Sequence, residues 1–208
     1  DYWYDAEDND RMDLIPEKKF YEPGETARFQ VRMPFREATA LVTVEREGVE
    51  ELFVKELSGK DPVIEVPVKG SYAPNMFVSA LAVRGRVGDY QPTAMVDLGK
   101  PAYKLGISEI KVGWKTHELK VAVSTDKSVY QVREKAKVKV HVQAADGTAL
   151  ASGAEVAIAA VDEGLLELSR NDTWKLLDAM MGIRYYTAQT STAQMHVIGK
   201  RHFGLKST

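Results

Sequence analysis

The sequence contains no cysteine. That absence removes disulfides, thiolate metal sites, a cysteine nucleophile and any thioester built on a cysteine side chain within these residues. An excess of one charge is missing too. Twenty-eight Lys and Arg stand against 30 Asp and Glu, a net charge of -2, which gives no field to draw nucleic acid or an anionic membrane. No apolar run approaches the ~20 residues of a membrane-spanning helix. Nucleophile elbows, phosphate-binding glycine loops and zinc-protease helices are absent as well. The four histidines, His117, His141, His196 and His202, show no metal-ligand spacing; His141 falls on an alternating run and His117 just before another, which fits surface or satisfied strand positions. The expectation is a non-enzymatic chain with no cofactor, no metal, no nucleic-acid partner and no direct membrane contact. It opens at Asp1 without a Met or a basic, apolar leader, and reads as an excised piece of a longer protein.

What the chain does have is strand periodicity. Apolar and polar residues alternate with a period of two up to Leu168 and then stop alternating. Runs at Ala40 to Glu45, Glu51 to Leu57, Val63 to Val68, Asn75 to Arg84 and Thr93 to Leu98 are broken by Glu47-Gly48, Ser58-Gly59, Lys69-Gly70 and Gly85. Short strands separated by turn signals predict an antiparallel β-sandwich. A second set of strands is predicted at Glu118 to Ser124, Ala136 to Gln143 and Glu155 to Val161, with a hairpin turn at Asp146-Gly147.

The two sets are related. Glu17 to Val31 resembles Asp126 to Val140: aligning Tyr21 with Tyr130 at a distance of 109 residues also aligns Lys18 with Lys127 and Glu25 with Glu134. That distance is the size of one sandwich domain. The predicted architecture is all-β, a tandem of antiparallel, fibronectin III-like sandwiches. It divides into a linker at 1–12, a sandwich at 13–107, a second and incomplete sandwich at 108–168, and a mostly irregular tail at 169–208. The second unit is too short for a whole sandwich, so its remaining strands are expected beyond Thr208, which makes the tail an insertion. Within the tail, Asn171-Asp172-Thr173 offers a cap, and Trp174, Leu177, Met181 and Tyr185 share helical spacing up to a stop at Gly182.

Two clusters invite chemistry. The acidic opening Asp5-Ala6-Glu7-Asp8-Asn9-Asp10, with Asp13 beyond, suits a hard cation, but the loop glycine and closing Glu of an EF-hand are missing and a solvated charge run is the commoner case. Asp162-Glu163 pairs two carboxylates after a small-residue run. On a strand, neighbours face opposite ways and cannot converge on one bond.

The run Glu155-Val156-Ala157-Ile158-Ala159-Ala160-Val161-Asp162-Glu163-Gly164-Leu165-Leu166-Glu167-Leu168 resembles the signature of the α2-macroglobulin family just before its bait region, Val161 to Leu166 being its centre. The likeness extends to Tyr21 to Ala27, Met33-Pro34-Phe35, Val42 to Arg46 and Pro74-Asn75. It also takes in Trp174 to Met180, Thr190 to Met195 and Gly199 to Gly204, and is closest in kind to bacterial members. The resemblance implies macroglobulin-like sandwiches bearing an exposed bait that an attacking endopeptidase cuts, releasing a conformational change that traps the protease. It further implies other macroglobulin-like domains in the same parent chain and a periplasmic address, with the parent held at the inner membrane by a lipidated N-terminus. A peptidoglycan-synthesising enzyme is an implied associate. The lipidation site and the thioester of many members both lie outside a chain without cysteine.

The tail's side chains suit that role. Lys200, Arg201 and Lys206 admit trypsin-like enzymes, Tyr185, Tyr186 and Phe203 chymotrypsin-like ones, and Val197, with Leu176, Leu177 and Met180, those that prefer aliphatic residues; Met195 is a further candidate. The rival reading is an adhesion or carbohydrate-binding tandem with the tail as linker. Linkers are rich in Gly, Ser or Pro, and this tail is not. A glycosidase accessory domain has only scattered carboxylates behind it.

Overall fold

The computed structural model describes residues 10–89, 97, 99–150 and 152–189. Two facing sheets form the first unit. The smaller holds β1 (Asp13–Pro16), β3 (Thr26–Arg32) and β6 (Val63–Pro67), in the order β1-β3-β6. The larger holds β2 (Phe20–Tyr21), β4 (Glu37–Glu45), β5 (Val49–Ser58), β7 (Asn75–Arg84) and β8 (Ala102–Val112), in the order β2-β8-β7-β4-β5. All pairings are antiparallel except β2 with β8. The all-β sandwich expectation holds.

Alternation places the core. In β3 the residues Ala27, Phe29 and Val31 are buried while their neighbours are exposed. They meet Ile64 and Val66 of β6, and Val42 and Val44 of β4, Met76 and Val78 of β7, and Ile110 and Val112 of β8 in one apolar cluster. Each such side chain contributes roughly 1.5–3 kcal/mol through removal from water. A one-residue slip in any strand would turn this set to solvent, so the register is strongly fixed.

The expected boundary near Ile107 falls inside β8 and is corrected. That strand continues to Val112 because β7 pairs with it over its whole length, from Asn75↔Lys111 to Arg84↔Ala102. Gly106 lies within that strand. Its lack of a side chain is what lets β1 approach: a Cβ there would lie 2.8 Å from the Met12 carbonyl oxygen and 3.1 Å from Leu14 Cβ. The linker assigned to 1–12 also joins the sandwich at its end, since Met12 N–H donates to the Leu105 carbonyl at 3.0 Å. The strand expected at Thr93 to Leu98 lies largely outside the described residues.

The second unit repeats the first residue for residue where it begins. Strands β9 (Leu119–Thr125) and β10 (Val138–Ala144) pair Ala122↔His141, Val123↔Val140, Ser124↔Lys139 and Thr125↔Val138. Shifted by 109, these are the β1–β3 pairs Asp13↔Arg32, Leu14↔Val31, Ile15↔Gln30 and Pro16↔Phe29. The corner between the strands repeats as well. Lys18 N–H donates to the Tyr21 hydroxyl, Lys18 Nζ pairs with Glu25, and Glu22 N–H donates to Glu25; Lys127, Tyr130, Glu134 and Gln131 make the same three contacts. What differs is cover. Leu14 is 6% exposed and its counterpart Val123 is 63% exposed, because no facing sheet covers the β9–β10 ribbon among the described residues.

The same lack of a neighbour explains one further departure. Residues 155–161, expected as a strand, carry no ladder and leave Val156 and Ile158 exposed; a strand without a partner has no place for its backbone hydrogen bonds. The short helix expected in the tail is present: α2 (Leu176–Met180) follows α1 (Glu163–Leu168) and ends one residue before Met181, next to the expected stop at Gly182. Asn171 accepts from Thr173 N–H in a local turn and does not cap α2. A five-residue helix with no buried face has little to hold it.

Gly106→Ala is expected to cost about 1–3 kcal/mol, the usual range for forced overpacking, whereas Gly48→Ala, which meets nothing within 4 Å, stays near neutral. Urea unfolding of both variants checks this. The corners give a pH prediction. The Glu22 N–H and then Lys18 hold Glu25 below its ordinary carboxylate range; the Tyr130 hydroxyl and then the Lys137 N–H do the same for Asp126, and Lys127 and then the Gln131 N–H for Glu134. A depressed carboxylate stabilises the fold above its unfolded pKa, and that contribution is lost as pH falls below about 4. Glu25→Gln is therefore expected to flatten the loss of stability on acidification below that pH, read by circular dichroism in urea.

Candidate functional site

Catalytic geometry is not what the described residues offer. No group of three or more His, Asp or Glu able to hold a metal occurs among them. Asp5 to Asp8 lie outside the described residues; Asp10 accepts from the Tyr103 hydroxyl at 2.9 Å and Asp13 starts β1. His117 Nε2 lies 3.1 Å from the Gly70 carbonyl oxygen, His141 lies on β10, and His196 and His202 fall outside the described residues.

Asp162 and Glu163 do not stand on a strand. Asp162 is the N-cap of α1, its carboxylate accepting from the Gly164 N–H at 2.9 Å, and Glu163 sits in the first turn. Both are favourable at the positive end of a helix, which accounts for the pair structurally. Val161, Leu165 and Leu166 around them are exposed. The signature thus turns the chain out of the second unit into the tail.

The tail then returns to the first sandwich, a contact the sequence did not disclose. Glu45, Phe77 and Glu109 are cross-strand neighbours on β4, β7 and β8 and form one rung at the end of the five-stranded sheet. Residues 184–187 lie against it. At its centre is Asn75, the first residue of β7 and fully buried. Its Oδ1 accepts from Arg184 N–H at 2.8 Å, and its Nδ2 donates to the Arg184 carbonyl at 2.8 Å and to Glu109 Oε1 at 2.9 Å. One side-chain amide thereby pairs with both polar groups of one peptide residue, as a neighbouring strand would.

Tyr186 supplies the second hold. Its hydroxyl donates to Glu45 Oε2 at 2.7 Å, and its ring meets Phe77 edge-on, centroids 5.1 Å apart at 71°. Such an arrangement adds to the buried area of the pair. Glu45 is itself buried and also accepts from the Thr43 hydroxyl. Beside it, β4 changes register against β5 between Val44 and Glu45, the kind of irregularity that re-aims side chains at a sheet's end. Thr187 completes the contact, its N–H and hydroxyl both donating to the Arg46 carbonyl at 3.2 and 3.1 Å. Arg46 is fixed in turn by donating to the Ala73 carbonyl at 2.9 Å. The Arg184 guanidinium reaches Glu47 at 3.2 Å, an exposed pair that contributes little.

Of the cleavage candidates, the structure separates two neighbours. Tyr185 is 83% exposed, whereas Tyr186 is docked. Met195, Val197, Lys200, Arg201, Phe203 and Lys206 lie outside the described residues. Asn75 was legible only as part of a family-like Pro74-Asn75 pair; an asparagine opening a strand, where β propensity disfavours it, was the available signal.

Comparison with known proteins agrees with this reading of the chain. Residues 12–168 match the family described as the alpha-2-macroglobulin bait region domain. An alpha-2-macroglobulin homolog of Nostoc sp. is 23% identical over 180 residues, covering 86% of this chain and 9% of its own length. Among solved structures, native E. coli alpha-2-macroglobulin aligns at 23% identity and a TM-score of 0.36, covering 66% of this chain and 8% of that one. A mutant of Salmonella alpha-2-macroglobulin aligns at 20% identity and a TM-score of 0.42, covering 94% and 13%. The chain therefore spans about a tenth of the length of these relatives. With its sandwich, the repeated strand pair that follows and the signature that leads into the tail, it belongs to the alpha-2-macroglobulin family, as a bait-region-domain segment.

Proposed function

We propose that this chain is the trigger of a protease trap: the tail from Ser169 is bait, and its cleavage by an attacking endopeptidase frees the two sandwich units to rearrange around the enzyme. The observation that carries the reading is the tail's exposure. Trp174, Leu176, Met180, Ile183 and Tyr185 stand largely in water along a stretch whose one helix is a single turn. Folding normally hides such side chains, and a protease needs several consecutive residues in extended form, which a stretch of low local stability supplies at little unfolding cost. Aromatic, aliphatic and basic residues together admit proteases of differing preference, and Met195, Val197, Lys200, Arg201, Phe203 and Lys206 extend that range.

The trap needs a second hold on the tail. We place it in the remaining strands of the second unit, supplied by chain following the bait, so that the tail is tethered at both ends and one cut removes a constraint. The exposed apolar side of the β9–β10 ribbon, with Leu119, Val121 and Val123, is the surface those strands would cover. From the family resemblance we assign the parent protein to the periplasm, anchored at the inner membrane by a lipidated N-terminus. Its partners would be attacking endopeptidases and its own further macroglobulin-like domains, with a peptidoglycan-synthesising enzyme as an associate.

Limited proteolysis with trypsin, chymotrypsin and elastase in parallel, mapped by mass, tests the bait. All three are expected to cut first between Ser169 and Thr208 and to leave Asp13 to Val112 intact. Early cuts confined to the sandwich, with a resistant tail, would contradict the proposal.

A further inference from the structure

We infer that Asn75 selects which bonds of the tail a protease can reach, by masking the Arg184–Tyr185 peptide bond. The inference rests on the reading of the tail as bait. By side chain alone Arg184 is a trypsin site: it is basic, exposed and followed by an exposed tyrosine. Its backbone is another matter. A serine protease must take the carbonyl oxygen of the residue before the cut into its oxyanion hole. In this fold that oxygen accepts from Asn75 Nδ2, and the N–H of the same residue donates to Asn75 Oδ1, each at 2.8 Å. Binding to Asn75 and binding in the protease cleft exclude each other.

The mask extends along the chain in the same sense. Cleavage after Tyr186 requires its side chain to leave Glu45 and Phe77, and Thr187 donates twice to Arg46. Residues 184–187 therefore form a fixed post that follows the largely exposed stretch from Ser169 to Ile183. A cut on either side of the post leaves it seated, so the first sandwich keeps hold of the tail after the trigger has fired. Asn75 acts here as a specificity-determining residue for the attacking enzyme, through geometry and not through the sequence of the bond.

The test uses the whole chain and compares two bonds with one enzyme. Arg170–Asn171, in the exposed stretch between α1 and α2, is the reference, and the urea-unfolded chain gives the intrinsic trypsin rate at each bond. Relative to those intrinsic rates, Arg184–Tyr185 is expected to be cut about tenfold or more slowly than Arg170–Asn171, the factor that roughly one to two net hydrogen bonds impose. Asn75→Ala is expected to abolish most of that difference. Tyr186→Ala, which substitutes no sandwich residue and lies outside the core, narrows it in the same direction and keeps the test sound if the Asn75 variant unfolds. A protease-independent reading is amide exchange at Arg184, expected to accelerate about tenfold in Asn75→Ala by the same arithmetic. Equal cleavage of the two bonds in the native chain overturns the mask, as does a slow Arg184–Tyr185 bond that neither variant accelerates. Resistance of Arg170–Asn171 itself, together with a protected Arg184 amide, would sink the bait reading and leave the mask standing.

Discussion

The side-chain amide of Asn75 is where the rigid and the accessible parts of this chain meet. On one side it opens β7, the central partner of both β4 and β8, and its position follows from the strand register that buries Met76 and Val78 beside it. On the other it holds the backbone of Arg184. A buried amide left without partners would cost far more than the net gain of its hydrogen bonds, so the sandwich and the tail stabilise each other through it. Glu45 and Arg46 extend the hold with a buried carboxylate and a backbone carbonyl, both positioned by the end of β4.

The described stretch from Glu155 to Met180 largely lacks such partners. Residues 155–161 alternate like a strand and find no sheet edge; α1 and α2 are short and bury no residue. The exposed apolar side chains that result are a liability in an isolated domain and an advantage under the proposed bait role. The described residues thus divide by how many backbone groups find partners: most do in the first sandwich, and few do between Ser152 and Ile183.

The sandwich was legible because burial on one face writes itself into a period of two: β7 was bounded correctly from alternation alone, and β4, β5 and β6 nearly so. The repeat was more legible still, since Tyr21, Lys18 and Glu25 recur as Tyr130, Lys127 and Glu134 and the strand pairs recur with them. Where reading failed, the cause was long-range. The boundary placed near Ile107 fell inside β8, whose length is set by pairing with β7 earlier in the chain. The short helix stopping near Gly182 was legible, but the docking of Tyr186 against Phe77 and Glu45 just beyond it was not. No pattern within the tail announces a contact with a residue 109 positions earlier; only the fold brings Asn75 there.

Because the chain has no native cysteine, two can be placed at will, and a distance between them tests the tether directly. Val49→Cys and Tyr185→Cys occupy exposed sites on the first sandwich and on the docked segment, and spin labels there report their separation by double electron–electron resonance. A narrow distribution that broadens when Asn75→Ala is added is the result expected of a tail held by that amide. A broad distribution in the parent chain, unchanged by Asn75→Ala, would show that the tail is not anchored on the sandwich and would contradict the account.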